Sequence, residues 1–571
     1  MRTAALVLIA AVALAAICCY ASGRARPRLP RNRVRSMRYR LHLRLRPGLG
    51  FATLFELWLR WGRLAVLRKS GRTRPSLPLT TRMRHSREHS VYLGRAQYRH
   101  RLRMPLEEHV VIKSKPRMGK TALLADVILH YPGPVLSTTT KHDVFQLTSG
   151  VRSRTGPVHV FNPQGIGGVP STFRWDPLAG CADPGVAIRR ADAFAMAVSV
   201  DGTEDASFWS SKASSYLRGM LCAAALAGGD MRLVTQWALG SAQQAENYLT
   251  SHGATQWGLE LGELRSEAQK TAATIRMVLS RALAFMNDPN LAASVLPGPG
   301  AGLDMIGFLA ANGTLYMIAD NTQEHSPLAP LFAAMAAELH WTALQAGQAS
   351  PAGRLDPPLV MALDEVTQIC PVPLPIWAAD SGGKGIQIMS VVHGDGQLEA
   401  RWKSHGKRVI LDTAGAEVLL PGITDADALD RASKVCGQAA FREHGQEHLS
   451  RHDVVTPDML RRLPDGFGLI IRGSCAPVVA KLQRAWKDRI YRKARRRGEA
   501  VAQITAAAPA ALVGPTMPKH LPTVSEADVK LPTVDSSRSP NGSHAVNGNG
   551  QHAGGNGHGD PSARHPWGRP S

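Results

Sequence analysis

An eight-residue basic loop between an apolar strand and a helix constrains the fold of this chain more than any other feature. The apolar run 109–112 predicts the strand, and a helical pattern begins at the end of the loop. The loop resembles the phosphate-binding pattern G-x-x-x-x-G-K-[ST], with serine in place of the first glycine. Its residues are Ser114, Lys115, Pro116, Arg117, Met118, Gly119, Lys120 and Thr121.

Such a loop can bind the phosphates of a nucleotide and its Mg²⁺ ion. Backbone N–H groups at the start of a helix bind phosphate oxygens. Lys120 would reach the β- and γ-phosphates of a nucleotide, and the Thr121 hydroxyl would bind Mg²⁺. The alternative is an ordinary basic turn, because the position of Ser114 often needs the backbone freedom of glycine.

A second motif supplies the acids that this chemistry needs. Five apolar residues at 359–363 predict a strand buried on both faces, and Asp364 and Glu365 follow it directly. Acids at the carboxyl end of such a strand face the ligand-binding edge of a parallel sheet. Asp364 would hold Mg²⁺ through water, and Glu365 would orient or deprotonate the attacking water. The alternative is a plain buried strand followed by two surface acids.

The remaining pattern predicts an α/β fold with a parallel sheet, interrupted by helices. Short β-branched runs alternate with helical patterns over 106–178, and 185–300 has helical spacing almost throughout. Strand-like runs return afterwards, at 314–319, 359–363, 386–392, 408–411, 417–420 and 468–472. One α/β domain is therefore expected to resume after a helical insertion.

Several sequence runs together resemble one family over about residues 105–490. They are VLSTTTKHD, GPVHVFNPQG, FRWDPLAGC, LVMALDEVTQICPVPLP and GGKGIQIMSVVHGDGQLEARW. In order and spacing they are similar to the type IV coupling proteins, the TraG/TraD group of conjugative DNA-transfer ATPases, in an actinobacterial style. The region 357–480 is similar to the TraM-recognition domain of that group.

The resemblance implies a RecA-like P-loop NTPase domain with an inserted all-α domain. It implies a homo-hexamer that uses ATP and Mg²⁺ to move DNA, with relaxosome or relaxase proteins and type IV secretion channel components as partners. It assigns Lys120 and Thr121 to the nucleotide, and Asp364 with Glu365 to hydrolysis. Gln397 matches a position that senses the γ-phosphate, so Lys120, Glu365 and Gln397 are the expected catalytic residues.

Three residues depart from the family pattern around this site. Ser114 replaces a glycine, Asn162 stands where the pattern has aspartate, and His393 stands where a second glutamine is expected. These departures leave open a slow ATPase or a protein that binds nucleotide without efficient turnover. A ring motor would also use an arginine from a neighbouring subunit. The candidates for that arginine are Arg401, Arg431 and Arg472.

The N-terminus predicts attachment to a membrane. Residues 4–21 form an uncharged apolar run of about 27 Å as a helix, enough to cross a hydrocarbon core. Residues 22–104 then hold 23 of the 68 Arg and Lys residues, against only Glu56 and Glu88. Positive flanks stay in the cytoplasm, so a single-pass protein of the cytoplasmic membrane with a cytoplasmic bulk is expected. A cleaved signal peptide is the alternative.

The basic region has two interpretations, lipid binding with membrane topology or a phosphate-binding funnel for DNA. Within it, 51–67 predicts an amphipathic helix in the membrane interface, with a packed globular helix or a tilted second span as alternatives. The composition after 501 predicts disorder. The expected division is 1–22 anchor, 23–104 basic region, 105–184 nucleotide-binding domain, 185–305 all-α insertion, 306–500 nucleotide-binding domain resumed, and 501–571 tail.

Two other functions stay open at this point. One is a membrane receptor or adaptor that recruits a substrate without pumping it. The other is an FtsK-like translocase that acts on double-stranded DNA without a relaxase.

Overall fold

The fold is known from a computed structural model, which describes residues 50–199, 206–296, 302–320, 326–442 and 449–507. Its strands in chain order are β1 (Ser90–Arg95), β2 (Arg101–Pro105), β3 (Val110–Lys113), β4 (Val135–Thr139), β5 (Val158–Phe161), β6 (Thr314–Ile318), β7 (Leu359–Leu363), β8 (Ile386–Val392), β9 (Ala416–Leu419), β10 (Gln438–Arg442), β11 (Leu449–Asp453), β12 (Phe467–Ile471) and β13 (Val478–Lys481).

Eleven of these strands form one sheet in the order β2-β1-β13-β12-β9-β3-β8-β7-β4-β6-β5. The seven strands from β9 to β5 are parallel, and the other four are antiparallel to their neighbours. Strands β3, β4, β7 and β8 are buried at every position. Burial at every position is typical of a parallel sheet that is covered on both faces. All seven parallel strands therefore end at one edge.

Helices precede, separate and follow the strands. They are α1 (Leu54–Trp61), α2 (Arg63–Thr73), α3 (Leu79–Arg84), α4 (Lys120–His130), α5 (Asp143–Arg152), α6 (Pro184–Met196), α7 (Ala206–Leu226), α8 (Met231–Leu239), α9 (Gln243–Ser251), α10 (Thr255–Ser266), α11 (Gln269–Ala282), α12 (Pro289–Ala293), α13 (Met305–Ala310), α14 (Ala329–Gln348), α15 (Leu374–Asp380), α16 (Asp395–Thr413), α17 (Ala426–Cys436), α18 (Pro457–Arg461) and α19 (Arg489–Arg496).

The stretch predicted to be helical at 185–300 contains helices and no strand in its described residues, 185–199 and 206–296. Helices α6 to α13 lie between β5 and β6, and the parallel sheet resumes after them. The strand predicted at 408–411 is wrong, because these residues lie inside α16. The three apolar residues at 409–411 fit the period of a strand and that of a helix, and the polar residues around them continue a helix.

The basic region before residue 105 contributes to the sheet, which the sequence did not predict. β1 and β2 extend the antiparallel side, and Ala52, Leu57 and Trp61 pack in the core with them. The single helix predicted at 51–67 is two helices, because the chain turns at Gly62 with an extended ψ of 177°. Its inner face packs on the sheet, as the globular alternative proposed.

No helix in the described ranges is both long and apolar enough to cross a bilayer. The anchor predicted at 4–21 lies outside those ranges. At the other end, the predicted tail begins later than residue 501. Ala502 N donates to Ser149 Oγ at 3.0 Å, and Ala507 N donates to the Ser171 carbonyl at 2.8 Å. Residues 508–571 lie outside the described part of the chain.

Two buried histidines near the amino end of the sheet make the fold sensitive to acid. His109 Nδ1 accepts a hydrogen bond from Ile388 N at 3.0 Å, so this nitrogen carries no proton. His340 lies 2.8 Å from Ser381 Oγ and stacks on Trp377 with ring centroids 4.0 Å apart. Burial lowers the pKa of both, to about 4 for His109 and about 3 for His340.

Acidification from pH 7.5 to pH 5 is therefore expected to remove about 2 kcal/mol of stability for each histidine, while Asp126, whose pKa burial raises to about 7, opposes this loss because the folded chain takes up a proton there. Between the lowered folded pKa and the ordinary unfolded value of about 6.5, only the unfolded chain takes up the proton, so stability falls as pH falls. Urea unfolding at pH 7.5 and pH 5 measures this loss. Relative to the wild type, His340→Gln should shift the difference in unfolding free energy between the two pH values by about 2 kcal/mol. His405→Gln, which changes an exposed histidine, should leave that difference unchanged. An unchanged pH dependence in His340→Gln would contradict this account.

Candidate nucleotide site

The predicted phosphate-binding loop connects β3 to α4 at the carboxyl edge of the sheet. The backbone is left-handed at Arg117 (φ 67°) and at Gly119 (φ 103°), and Ser114 is not among the positive-φ residues. Ser114 is fully buried, and its N–H donates to the Val392 carbonyl on β8 at 3.0 Å. The glycine freedom that the family pattern supplies at the first position is therefore not needed here.

Arg117 carries the unusual backbone instead. We expect Arg117→Gly to be more stable than Arg117→Ala by about 1 kcal/mol, because a Cβ at positive φ costs roughly this much. Both variants lose the guanidinium, so the difference isolates the backbone. Urea unfolding of the two variants measures it. Equal stability would show that the loop relaxes to negative φ without cost.

The two predicted acids lie beside the loop lysine. β7 carries Asp364 and Glu365 at its end, and only β8 separates β7 from β3. Lys120 Nζ lies 3.3 Å from Asp364 Oδ1 and also contacts Glu365 Oε1. Asp364 and Glu365 are 2% and 3% exposed, and burial raises the pKa of Asp364 although Lys120 opposes this. The structure thus brings together residues 244 positions apart.

The acid pair retains unused coordination capacity. Asp364 Oδ1 and Glu365 Oε2 are buried and accept no hydrogen bond in the described chain; each meets only a basic side chain. The Asp364 carbonyl is held by Thr138 Oγ1 at 3.0 Å, and Glu365 has a left-handed φ of 50°. Thr121 lies in the first turn of α4, next to Lys120. Buried carboxylate oxygens and a hydroxyl at one edge fit Mg²⁺, which prefers oxygen ligands.

His393 links the loop to the acid pair. Its Nδ1 lies 2.8 Å from the Ser114 carbonyl oxygen, and its Nε2 lies 3.1 Å from Glu365 Oε2. The ring therefore lies between the backbone of the loop and the acid pair. The sequence identified His393 as a departure but did not predict this contact, which depends on β3, β7 and β8 being neighbours.

Gln397 lies one helical turn beyond His393. Its Oε1 accepts the His393 N–H at 2.8 Å and so fixes the start of α16. In this arrangement it supports His393 rather than contacting Lys120 or the acid pair. Its predicted catalytic role therefore remains a prediction.

Asn162 is a structural residue of another strand. It follows β5, five strands from β3 and so roughly 24 Å away along the sheet. Its Nδ2 donates to the carbonyls of Ile166 and Val169 at 3.0 and 2.7 Å, which no carboxylate could do. The replacement of aspartate by asparagine is thus explained by the fold of the loop 162–171.

A buried charge cluster underlies the loop, and the sequence did not indicate it. Lys113, the last residue of β3, is 0% exposed and pairs with Asp395 and with Glu417 Oε1, the latter at 2.7 Å. Arg431 completes the cluster with contacts to both acids. The pKa of Glu417 is lowered, since the attraction of Lys113 and Arg431 exceeds the effect of its burial.

The three candidate arginines have partners within their own chain. Arg431 belongs to the buried charge cluster, and Arg472 forms two hydrogen bonds to Glu108 while stacking on Trp61. Arg401 donates to the Met196 carbonyl on α6. Arg472 lies on the antiparallel side of the sheet, after β12. To act on a neighbouring subunit, each arginine would have to break these contacts.

Comparison with known proteins gives a family match and a fold match. Residues 358–465 match the family described as the TraM recognition site of TraD and TraG. This range includes β7, β8 and β9, so it contains Asp364, Glu365 and His393. No curated protein sequence matches the chain significantly.

Two solved structures of the plasmid coupling protein TrwB share the fold. The complex with the GTP analogue GDPNP has 17% identity and a TM-score of 0.51, covering 68% of this chain and 90% of TrwB. The complex with ADP and Mg²⁺ has 16% identity and the same TM-score, covering 72% and 89%. The mixed α/β fold with a large parallel sheet is thus confirmed. The resemblance to the type IV coupling proteins is confirmed too, in sequence over residues 358–465 and in fold over about two thirds of the chain.

Proposed function

We propose that this protein is a membrane-anchored ATPase that couples ATP hydrolysis to the transfer of DNA through a conjugative type IV secretion system. The observation that carries the proposal is the contact of Lys120 with Asp364 and Glu365, two acids that lie in the region matching the TraM recognition site. The same strands thus carry the hydrolytic acids and the family match.

The proposed binding and hydrolysis of nucleotide rest on the geometry of the loop and the acid pair at the carboxyl edge of the sheet. The loop N–H groups at the start of α4 and Lys120 bind the phosphates, and Thr121 and Asp364 hold Mg²⁺. Glu365 orients the attacking water and accepts its proton. Phosphate binding would draw Lys120 away from Glu365, which frees a carboxylate oxygen for the water. The complexes of TrwB with ADP and Mg²⁺ and with GDPNP support this reading.

The proposed role in DNA transfer rests on the family match. A TraM recognition site implies a relaxosome protein as partner, and DNA as the cargo that such a partner presents. A homo-hexamer and contacts with the secretion channel follow from the resemblance to coupling proteins. Each is part of the proposal.

The proposed location at the cytoplasmic membrane rests on the N-terminal sequence and on the exposed face of α1. The apolar run 4–21 and the basic residues after it favour the cytoplasmic membrane with the sheet on the cytoplasmic side. On α1, Phe55 and Trp58 are 69% and 49% exposed while Leu57 and Trp61 are buried. An outward aromatic face near a basic chain suits the membrane interface.

The test is ATP hydrolysis by residues 50–507 and by the full chain in detergent, with and without single- and double-stranded DNA. The fragment must begin before α1 and include residues 502–507, because both segments pack on the fold. Lys120→Ala should abolish turnover. Lys384→Ala also removes one lysine charge, but before the amino end of β8 and so at the edge of the sheet away from the loop. It should leave turnover unchanged.

The outcomes separate the three functions. Turnover that DNA stimulates and Lys120→Ala abolishes supports the motor, and preference for single strands supports conjugative transfer. Nucleotide binding without turnover under any condition would support a receptor instead. Strict dependence on double-stranded DNA, with no response to a relaxase, would support an FtsK-like translocase.

A further inference from the structure

Three potential metal ligands meet where α4 contacts the start of α19. Asp126 and His130 are four residues apart on α4, so they lie on one face of the helix. Asp488 comes from the start of α19, where its Oδ1 accepts the Ile490 N–H at 2.7 Å. Its other oxygen, Oδ2, lies 3.1 Å from His130 Nε2. One ligand atom from each residue lies within 4.8 Å of the other two.

Asp126 is the residue whose environment calls for a ligand. It is 1% exposed, and neither carboxylate oxygen has a hydrogen-bond partner in the described chain. Its nearest basic contact is His130 Nε2, 3.6 Å from Oδ1. Burial raises its pKa to about 7. A carboxylate buried without partners is costly, and buried charges in proteins are paired or bind metals.

The spacing fits a small ion. In a tetrahedral site with ligand bonds of about 2.1 Å, ligand atoms lie about 3.4 Å apart. The two distances from His130 Nε2 are 3.1 and 3.6 Å. A cavity of about 10 Å³ adjoins the cluster and is lined by Asp126, His130 and Tyr92. That is close to the roughly 10–15 Å³ that one water molecule needs.

We propose that Asp126, His130 and Asp488 bind one divalent transition-metal ion of the Zn²⁺ class, with a water in the adjoining cavity as fourth ligand. Imidazole and carboxylate together are the ligands that such ions take. The site joins α19 to the helix that begins with Lys120, next to the apolar contacts of Ala125 and Leu129 with Ala485 and Ala494. It is independent of the proposed function, because none of its residues belongs to the nucleotide edge.

The competing account is a cluster balanced by protons and by Arg87, which lines the same cavity. Arg87 would have to donate to Asp126, and no hydrogen bond reaches either Asp126 oxygen from the residues that the structure describes. The two accounts differ in whether added metal changes the protein.

The test uses the full chain in detergent, stripped with a chelator and titrated with Zn²⁺ against a chromophoric competitor. The wild type should bind one equivalent more than His130→Gln, whose affinity at this site should fall at least about 100-fold. Stoichiometric Zn²⁺ should raise the Tm of the wild type by several degrees, and equal Mg²⁺ should not. His405→Gln, an exposed histidine, is the matched control and should behave as the wild type.

Equal zinc uptake by wild type and His130→Gln would overturn the proposal, since it would show only loose binding at surface histidines. A wild-type Tm that does not respond to Zn²⁺ would also overturn it, and this arm needs no variant. If His130→Gln lacks the native circular dichroism spectrum, Asp126→Asn replaces it, because it keeps the size of the side chain. A rise in Tm in metal-free Asp126→Asn together with unchanged zinc uptake would favour the proton-balanced cluster.

Discussion

Glu365→Gln is expected to lower the ATP turnover number by about 10²- to 10⁴-fold, the range typical of losing a general base. Nucleotide affinity should be equal to or tighter than that of the wild type. The reason is that Lys120 contacts Glu365 in this structure, and a neutral amide competes less with phosphate for the lysine. Single-turnover hydrolysis and equilibrium binding of a fluorescent nucleotide measure the two effects separately.

The control is Glu399→Gln, the same chemical change on the exposed side of α16, where Glu399 pairs with Lys407. It should leave both quantities unchanged. Turnover in Glu365→Gln within tenfold of the wild type would show that another group accepts the proton. Weakened nucleotide binding would show that Glu365 holds the loop in place rather than acting on water.

Lys113→Met is expected to destabilise the protein by about 3–5 kcal/mol, the cost of leaving buried charges without a partner. Lys113 is fully buried, and it and Arg431 compensate Asp395 and Glu417. Without Lys113, two carboxylates share one arginine that is partly exposed to solvent. Urea unfolding followed by circular dichroism gives the difference in free energy of unfolding.

Lys407→Met provides the matched control, because its partner Glu399 lies at the surface and such pairs contribute at most about 1 kcal/mol. The double variant Lys113→Met/Glu417→Gln should recover part of the loss, since one carboxylate and one arginine then remain. A loss in Lys113→Met no larger than in the control would contradict the account. So would a double variant that is less stable than the single one.

The parts of the fold that the sequence predicted are those that a local pattern encodes. The apolar run before Ser114, the glycine before Lys120 and the five apolar residues before Asp364 each indicate an element and its end. A strand that is buried on both faces carries this signal when, as in β7, every residue is apolar. The position of the acids opposite Lys120 then follows from the rule that parallel strands end at one edge.

The parts that the sequence did not predict depend on which strands become neighbours. Lys113 meets Glu417 because β3 and β9 are adjacent, and His393 meets Glu365 because β7 and β8 are adjacent. The spacing of apolar residues within a strand does not indicate which strands become its neighbours. The sequence did not predict β1 and β2 for a different reason, because arginines spaced along a basic segment resemble a solvated linker.

The strand order of the sheet also determines how late in translation the edge of β1 can be paired. β1 pairs with β13 at Arg95 and Lys481, nearly 400 residues later in the chain. At about 5–20 residues per second, translation takes roughly 20–80 s to supply that partner. Until then the N-terminal hairpin keeps an open edge, which is a template for pairing with other chains. A nascent chain that stops before residue 481 therefore never covers it, so completion of the C-terminal strands protects the first folded segment from aggregation.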